Sequence, residues 1–277
     1  MSNTQNNSRR QFIKNISMAT AIIAGGSIQS LTATEAYDLR KKVALRFVVA
    51  SDFHYGQPKT EFEAMADKVI AQIKTFHTAQ PLDFCAFNGD LIHNEKQFLP
   101  QIKSKFDGLP MPYFVSRGNH DMVSADYWKE IWNTPLHHST SVKDSVILMC
   151  DTSNEKGEYL SPDLNWVKTQ LEQHKNAKSI FMFVHIPQIT FTKNCIDTPN
   201  FYEILKNYPN IKAVFHGHDH DMDGCKMVDN LPFLFDAHAG GNWGTPYNGF
   251  RVVELMKDGS MLTYMMNPSE KLNEQKL

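Results

Sequence analysis

Val214-Phe215-His216-Gly217-His218-Asp219-His220 reads as the end of a strand running into a turn. The apolar run from Ile211 to Phe215 supplies the strand. Gly217 lets the chain turn directly after it, because glycine adopts backbone angles that other residues resist. Two histidines stand two apart on that turn, and imidazole nitrogen is a common ligand for borderline metals. Taken alone, His218 and His220 fit a metal site and a pair of exposed loop residues about equally.

Upstream, the same grammar recurs four times. Arg46-Phe47-Val48-Val49-Ala50-Ser51 leads into Asp52-Phe53-His54. Leu82 to Asn88 leads into Gly89-Asp90. Tyr113-Phe114-Val115-Ser116 leads into Arg117-Gly118-Asn119-His120-Asp121. Ile180 to Val184 ends in His185. In open α/β sheets, ligands collect outside the carboxyl ends of the strands. Five strand ends carrying Asp52, His54, Asp90, Asn119, His185, His218 and His220 therefore read as one site.

From Val43 the pattern alternates strand and helix. Thr60 to His77 carries Phe62, Met65, Val69, Ile73 and Phe76 at helical spacing. Further helices are expected over Asn94 or Glu95 to Phe106, over Ser124 to Trp132 with Ser124 as N-cap, and over Asn200 to Tyr208. Another is expected from Ser161-Pro162-Asp163 to His174, capped by Ser161 with proline in its first turn. Val142 to Cys150 reads as two short strands or one bent one. From Cys225 the pattern becomes short strands, Lys226 to Val228, Leu231 to Phe235, Phe250 to Leu255 and Met261 to Met265, with Asp258-Gly259 as a hairpin turn. Alternation followed by a run of strands implies an α/β (α+β) sandwich rather than a simple doubly wound sheet.

The order Asp-x-His, Gly-Asp, Gly-Asn-His-Asp, lone His, Gly-His-x-His resembles the calcineurin-like metallophosphoesterase family, from about Phe47 to His220. The resemblance implies a four-layer α-β-β-α sandwich, two mixed sheets flanked by helices, over residues 43–267. It also implies two metal ions, of Mn, Fe, Zn, Co or Ni type, held by mixed oxygen and nitrogen ligands. One would take Asp52, His54, Asp90 and His220, the other Asp90, Asn119, His185 and His218, with Asp90 as the bridge. The implied reaction is hydrolysis of a small phosphate ester, monoester or diester, by attack of a metal-bridging hydroxide. Two cations about 3.5–4 Å apart clamp the attacking and leaving oxygens of such a displacement.

His120 is expected to face the leaving oxygen as general acid or electrostatic stabiliser, with Asp121 or another carboxylate orienting its ring. Arg117 stands where phosphoprotein phosphatases of the family also carry arginine. It would grip a phosphate oxygen in a bidentate way, or else stand at the surface paired with a nearby acid. Two branches are disfavoured. Gly89-Asp90-Leu91-Ile92-His93-Asn94 lacks the second Asp and the Arg-Gly of the phosphoprotein phosphatases. His93 stands where purple acid phosphatases carry a tyrosine ligand, and His54 is present where they lack histidine. His93 itself reads as a substrate contact or as an exposed polar residue. Asp236 to Gly244 reads as a glycine-rich turn, or with Asn242, Trp243 and Tyr247 as one wall of the substrate pocket.

Composition sets the remaining bounds. A chain of 277 residues, 42% hydrophobic and 11% aromatic, has ample material for a core. Its formal net charge of -2 gives no electrostatic case for nucleic acid or an anionic membrane. Ser8-Arg9-Arg10-Gln11-Phe12-Ile13-Lys14, followed by the weakly apolar run Ile16 to Ile28, resembles a twin-arginine (Tat) export signal over residues 1–36. That run is too short and polar to span a bilayer, which needs roughly 20 apolar residues. Small residues near Thr34 to Ala36 suit cleavage. The expectation is export by the Tat translocase to the periplasm or beyond, with no stable membrane anchor. The tail 268–277 is expected to fray. Cys85 and Cys150 fall in apolar runs as buried thiols; Cys195 and Cys225 are polar-flanked and free to be paired or unpaired. Two alternatives to the small-ester hydrolase remain: a nuclease or phospholipase-type diesterase, and a non-catalytic metal-binding protein of the same fold.

Overall fold

The computed structural model describes residues 21–24, 27–30 and 42–267. The twin-arginine pattern, the expected cleavage region and the tail 268–277 lie outside the described residues. Two mixed sheets face each other. The first comprises β1 (Ala21–Ala24), β2 (Ser27–Ser30), β3 (Val43–Ala50), β4 (Phe84–Asn88), β5 (Tyr113–Ser116), β12 (Phe250–Met256) and β13 (Met261–Met266), in the order β2-β1-β13-β12-β3-β4-β5. Strands β3, β4 and β5 are parallel, while β12 and β13 return antiparallel. The second comprises β6 (His138–Val142), β7 (Ser145–Cys150), β8 (Ser179–Val184), β9 (Ile211–His216), β10 (Cys225–Val228) and β11 (Leu231–Phe235), in the order β10-β11-β9-β8-β7-β6. Its centre, β7-β8-β9-β11, is parallel.

Helices cover both outer faces. α1 (Phe62–Ala79), α2 (Leu99–Asp107) and α3 (Ala125–Trp132) lie on the first sheet. α4 (Leu164–Gln173) and α5 (Pro199–Leu205) lie on the second. The period of each element assigns its side chains to a layer. On β3, Phe47 and Val49 enter the core between the sheets while Val48 and Ala50 face the helices, the period-2 alternation of a strand buried on both sides. On α1, Ala66, Val69, Ile70, Ile73 and Phe76 form one buried stripe. Between the sheets, Phe47 stacks on Phe84 with centroids 4.5 Å apart, and Phe183 on Phe215 at 4.9 Å. Truncating one such phenylalanine to alanine typically costs about 3–5 kcal/mol. The four layers are thus those of the expected α-β-β-α sandwich.

Several local expectations are refined. Residues 142–150 hold the end of β6, a turn and β7, one arm of an antiparallel hairpin that begins at His138. Ser124 Oγ caps α3, accepting from the Tyr127 amide at 3.2 Å. The cap of α4 is Asp163 rather than Ser161: its carboxylate accepts from the amides of Asn165 and Trp166, at 2.9 and 3.0 Å. One carboxylate satisfying two orphan amides outcompetes a hydroxyl two residues earlier, and Pro162 stays outside the helix. All four cysteines are free thiols, Cys195 and Cys225 included. Among the described residues, no helix is long and apolar enough to cross a membrane.

Candidate metal centre

The carboxyl ends of β3, β4, β5, β8 and β9 converge at one edge of the sandwich. Asp52 and His54 follow β3, Asp90 follows β4, and Asn119 follows β5. His185 follows β8, and His218 and His220 follow β9. Four of these seven, Asp52, His54, Asp90 and His218, hold positive φ angles of 56, 42, 51 and 67°. Non-glycine residues there are strained, and such strain persists where the surroundings over-determine it, commonly at functional sites. Gly118 shows how tight the packing is. A Cβ on it would lie 2.2 Å from both the Asp90 amide nitrogen and Asp90 Oδ1.

Six of the seven side chains fall into two adjoining groups. Ligand-type atoms of Asp52, His54 and His220 lie within 4.8 Å of one another, and those of Asp90, His185 and His218 do likewise. Asp90 joins them: its Oδ2 is 3.7 Å from His54 Nε2 and 3.4 Å from His185 Nε2. Both sheets contribute to each group.

Hydrogen bonding fixes the tautomers of two of the histidines. His185 Nδ1 donates to the Asn88 carbonyl at 2.7 Å, so its Nε2 lone pair points at the Asp90 carboxylate. His220 Nδ1 donates to the Trp243 carbonyl at 3.1 Å, and its Nε2 faces Asp52 Oδ1 at 3.1 Å and His54 Nε2 at 3.0 Å. A lone pair facing a carboxylate is repulsive unless a positive charge sits between them. Asn119 Oδ1, His185 Nε2 and His218 Nε2 are buried and lack any hydrogen-bond partner. Leaving each unsatisfied costs about 1–3 kcal/mol. His185 and His218 belong to the same ligand group, and orphaned lone-pair donors at these strand ends fit a cation. The mixed N/O set suits Mn, Fe, Zn, Co or Ni.

The electrostatics agree. Burial opposes ionisation of Asp52, yet the imidazoles of His220 and His185 hold its carboxyl below the ordinary range. Asp90 is held well below its ordinary value against burial, by His185 foremost. Burial drives the His54 imidazole down to about 3, despite Asp90 and Asp52. For His185 burial is overcome by Asp90 and Asp52, and the imidazole rises to about 10. The same two carboxylates that favour a cationic His185 would favour a metal cation beside it.

The residues around the centre depart from expectation in two places. Arg117 does not point into the site. Its Nε and Nη2 hold both oxygens of Asp151, at 3.0 and 2.7 Å, and its Nη1 and Nη2 also donate to the carbonyls of Val123 (2.7 Å) and Ser153 (2.5 Å). Of the two readings offered by the sequence, pairing with an acid is the observed one, but buried rather than at the surface. Asp121 does not touch the ring of His120. Its two oxygens accept from the amides of Gly118 (2.7 Å) and Ile92 (3.0 Å), which ties the loop after β5 to the loop after β4. Burial first, then Asp90, raises its carboxyl to about 7. The group on the His120 ring is Asn94, whose Oδ1 lies 2.8 Å from His120 Nδ1. The His120 amide donates to Asp90 Oδ1 at 2.7 Å, which holds the ring beside His54, centroids 4.8 Å apart.

His93 is half-buried, its Nδ1 3.0 Å from His54 Nδ1, and it stacks on His120. Of the three proposed wall residues, only Trp243 is at the centre: it lies parallel on His220, centroids 4.3 Å apart. Asn242 accepts from Gln57, and Tyr247 donates to Asp223. His238 stacks on His220 at 4.8 Å. Sequence reasoning missed Asn94, Ser51 and Asp236. The Ser51 hydroxyl lies between Asp52 and Asp236, and the 51–52 step gave no sign of it.

With this geometry in place, comparison with known proteins is informative. A 23% identical stretch of 235 residues, 73% of this chain, matches the uncharacterized protein YvnB of Bacillus subtilis (strain 168). The matched stretch spans 18% of that relative's length. Among solved structures, a dimetal phosphatase from Danio rerio superposes with a TM-score of 0.65 at 13% identity, over 83% of this chain and 98% of that one. GAP50, the anchor in the inner membrane complex of Plasmodium, gives 0.59 at 14%, over 83% and 87%. The NAD nucleotidase of Haemophilus influenzae gives 0.52 at 12%, over 80% and 49%. At such identities these likenesses speak to the fold. The model of the calcineurin-like phosphoesterases matches residues 45–222, from β3 through the last candidate ligand, His220, and to that family the chain belongs.

Proposed function

We propose that the chain is a two-metal hydrolase of small phosphate esters. The observation that carries this reading is Asp90, whose Oδ2 stands 3.7 Å from His54 Nε2 in one ligand group and 3.4 Å from His185 Nε2 in the other. Asp52, His54, Asp90 and His220 would hold one ion, and Asp90, Asn119, His185 and His218 the other. Bound there, two cations supply Lewis acidity toward phosphoryl oxygens and acidify a water molecule. The chain's own part is positional. Asn88 and Trp243 carbonyls fix the tautomers of His185 and His220. Asn94 orients His120, which stands at the mouth of the centre as proton donor to the leaving oxygen.

Export by the twin-arginine route belongs to the same proposal. It rests on Ser8-Arg9-Arg10-Gln11-Phe12, and a folded route suits a centre loaded before export. The deciding experiment measures turnover of a chromogenic monoester and diester by protein of known metal content. Hydrolysis of at least one ester, lost on chelation and restored by metal, is the expected result. Full metal occupancy without turnover of either ester would leave a metal-binding protein of the same fold.

A further inference from the structure

Large apolar side chains that are exposed have a common address here. Among the described residues four stand out: Trp243 at 42%, Tyr159 and Leu160 at 41% each, and Met122 at 37% exposed. Trp243 lies on His220 and tilts over His54 at 4.7 Å, against the first ligand group. Tyr159 meets His218 edge-on at 4.8 Å, against the second. Leu160 follows Tyr159 in the chain. Met122 follows the Asn119-His120-Asp121 segment and reaches the loop that carries Tyr159, since a Cβ on Gly157 would lie 2.7 Å from Met122 Cε and from the Asn119 carbonyl. An apolar rim around a polar, charge-rich floor is a binding feature, because exposed apolar surface concentrated in one place marks an interaction site.

We infer that Trp243 and Tyr159 select phosphate esters whose leaving portion carries a planar aromatic group, a nucleobase in the first instance. This rests on the phosphoesterase reading and names its substrate class. The two rings stand on the two metal groups, so a phosphate held between those groups leaves its organic portion beside an aromatic side chain. Trp243 is held for such a role. One face is backed by the His220–His238 stack, and its backbone carbonyl is fixed by His220 Nδ1. A ring already immobilised loses little entropy on stacking. Base–aromatic stacking depends on the π-face and not on base identity, so discrimination should fall between aromatic and alkyl esters rather than among bases.

The test compares a nucleoside monophosphate, phenyl phosphate and glycerol phosphate on metal-loaded protein. The readout is the preference, the ratio of kcat/KM for each aromatic ester to that for glycerol phosphate. Trp243→Ala should lower this preference about tenfold, with Trp243→Phe recovering most of it; Tyr159→Ser should lower it in the same direction. Loss for the nucleotide alone assigns the site to nucleobases, and loss for both to planar aromatics in general. An unchanged preference, with all three esters falling together or none falling, overturns the inference. Metal content is measured on each variant; the carbonyl that orients His220 is retained in Trp243→Ala. A calorimetric arm separates this inference from the reading beneath it. If wild-type protein turns over no ester, the phosphoesterase reading fails, and the nucleoside monophosphate should still bind about tenfold tighter than ribose phosphate. Equal affinities overturn the aromatic site.

Discussion

Replacing Arg117 by methionine separates a residue that grips substrate from one that holds the fold. The guanidinium is 5% exposed and Asp151 is 8% exposed, and the pair shares two hydrogen bonds. Breaking a buried pair by removing one partner costs about 3–5 kcal/mol. A second route to the magnitude agrees. Without Arg117, Asp151 must fold in its neutral form. At pH 7, protonating a carboxyl of ordinary pKa near 3.9 costs about 4 kcal/mol. That is a ceiling, because burial already pushes Asp151 above its ordinary value, with Arg117 the opposing influence. For a domain of this size, about 4 kcal/mol corresponds to a melting temperature lower by about 8–16 °C. In the variant the folded state keeps a proton on Asp151 that the unfolded state has released, so stability rises as pH falls. At pH 5 the protonation cost is only about 1.5 kcal/mol. Relative to wild type, the deficit should therefore shrink by up to about 2.5 kcal/mol between pH 7 and pH 5. Adding Asp151→Asn should remove that pH dependence, leaving the unpaired carbonyls of Val123 and Ser153 as the residual loss. Thermal melts of wild type, both single variants and the double variant, at matched metal occupancy, provide the measurement. An Arg117→Met protein that melts like wild type but shows a raised KM would refute the structural role and return the arginine to the substrate.

Asp90→Ala should lose both ions, since Asp90 Oδ2 faces both groups; elemental analysis retaining one ion per chain would show that the groups bind independently. Gly118→Ala should drop below two metals per chain and melt several degrees lower, because its Cβ would have to displace the Asp90 backbone; wild-type occupancy would show that the loop yields. His120→Asn should slow alkyl esters far more than nitrophenyl esters at unchanged metal content. General acid catalysis is worth about 10²–10⁴-fold, and a nitrophenolate leaves without the proton. Equal losses on both would assign His120 to electrostatic stabilisation. Exchanging Arg9 and Arg10 for lysine together should retain the protein in the cytoplasm on cell fractionation, and an unchanged periplasmic yield would rule out the twin-arginine route.

The candidate ligand residues were legible as a cluster because each follows a strand of unmistakable pattern. Phe47-Val48-Val49-Ala50 and Ile180 to Val184 are apolar on both faces, and a polar residue directly after such a run has to stand at the sheet edge. What the sequence could not disclose was pairing across distance. Arg117 and Asp151 are 34 positions apart and meet only because β5 and β7 end side by side in opposing sheets. Asn94 looked like the start of a helix, yet its backbone adopts a φ of 67° and its side chain turns to His120. Tyr159 sits in a loop without any motif, and nothing in its neighbours foretold His218 beneath it. Asp121 stood next to His120 in sequence, and adjacency suggested contact. Successive residues on a turn point apart, and Asp121 went to the backbone instead.

The division of the ligands between the sheets also bears on how the molecule comes apart. Asp52, His54, Asp90 and Asn119 ride on the first sheet, and His185, His218 and His220 on the second. The interior between them is an apolar layer in which Phe47, Phe84, Phe181, Phe183 and Phe215 pack with aliphatic side chains. At this edge, directional ties cross the gap: Asn88 Nδ2 to the Phe215 carbonyl at 3.1 Å, the His218 amide to Asp52 Oδ2 at 3.0 Å, and the Arg117–Asp151 pair. Ions shared between the sheets would add a clasp to these ties. Metal supply would then set the rate at which the two halves gape at this edge, and with it the chance that a protease finds the loops there open.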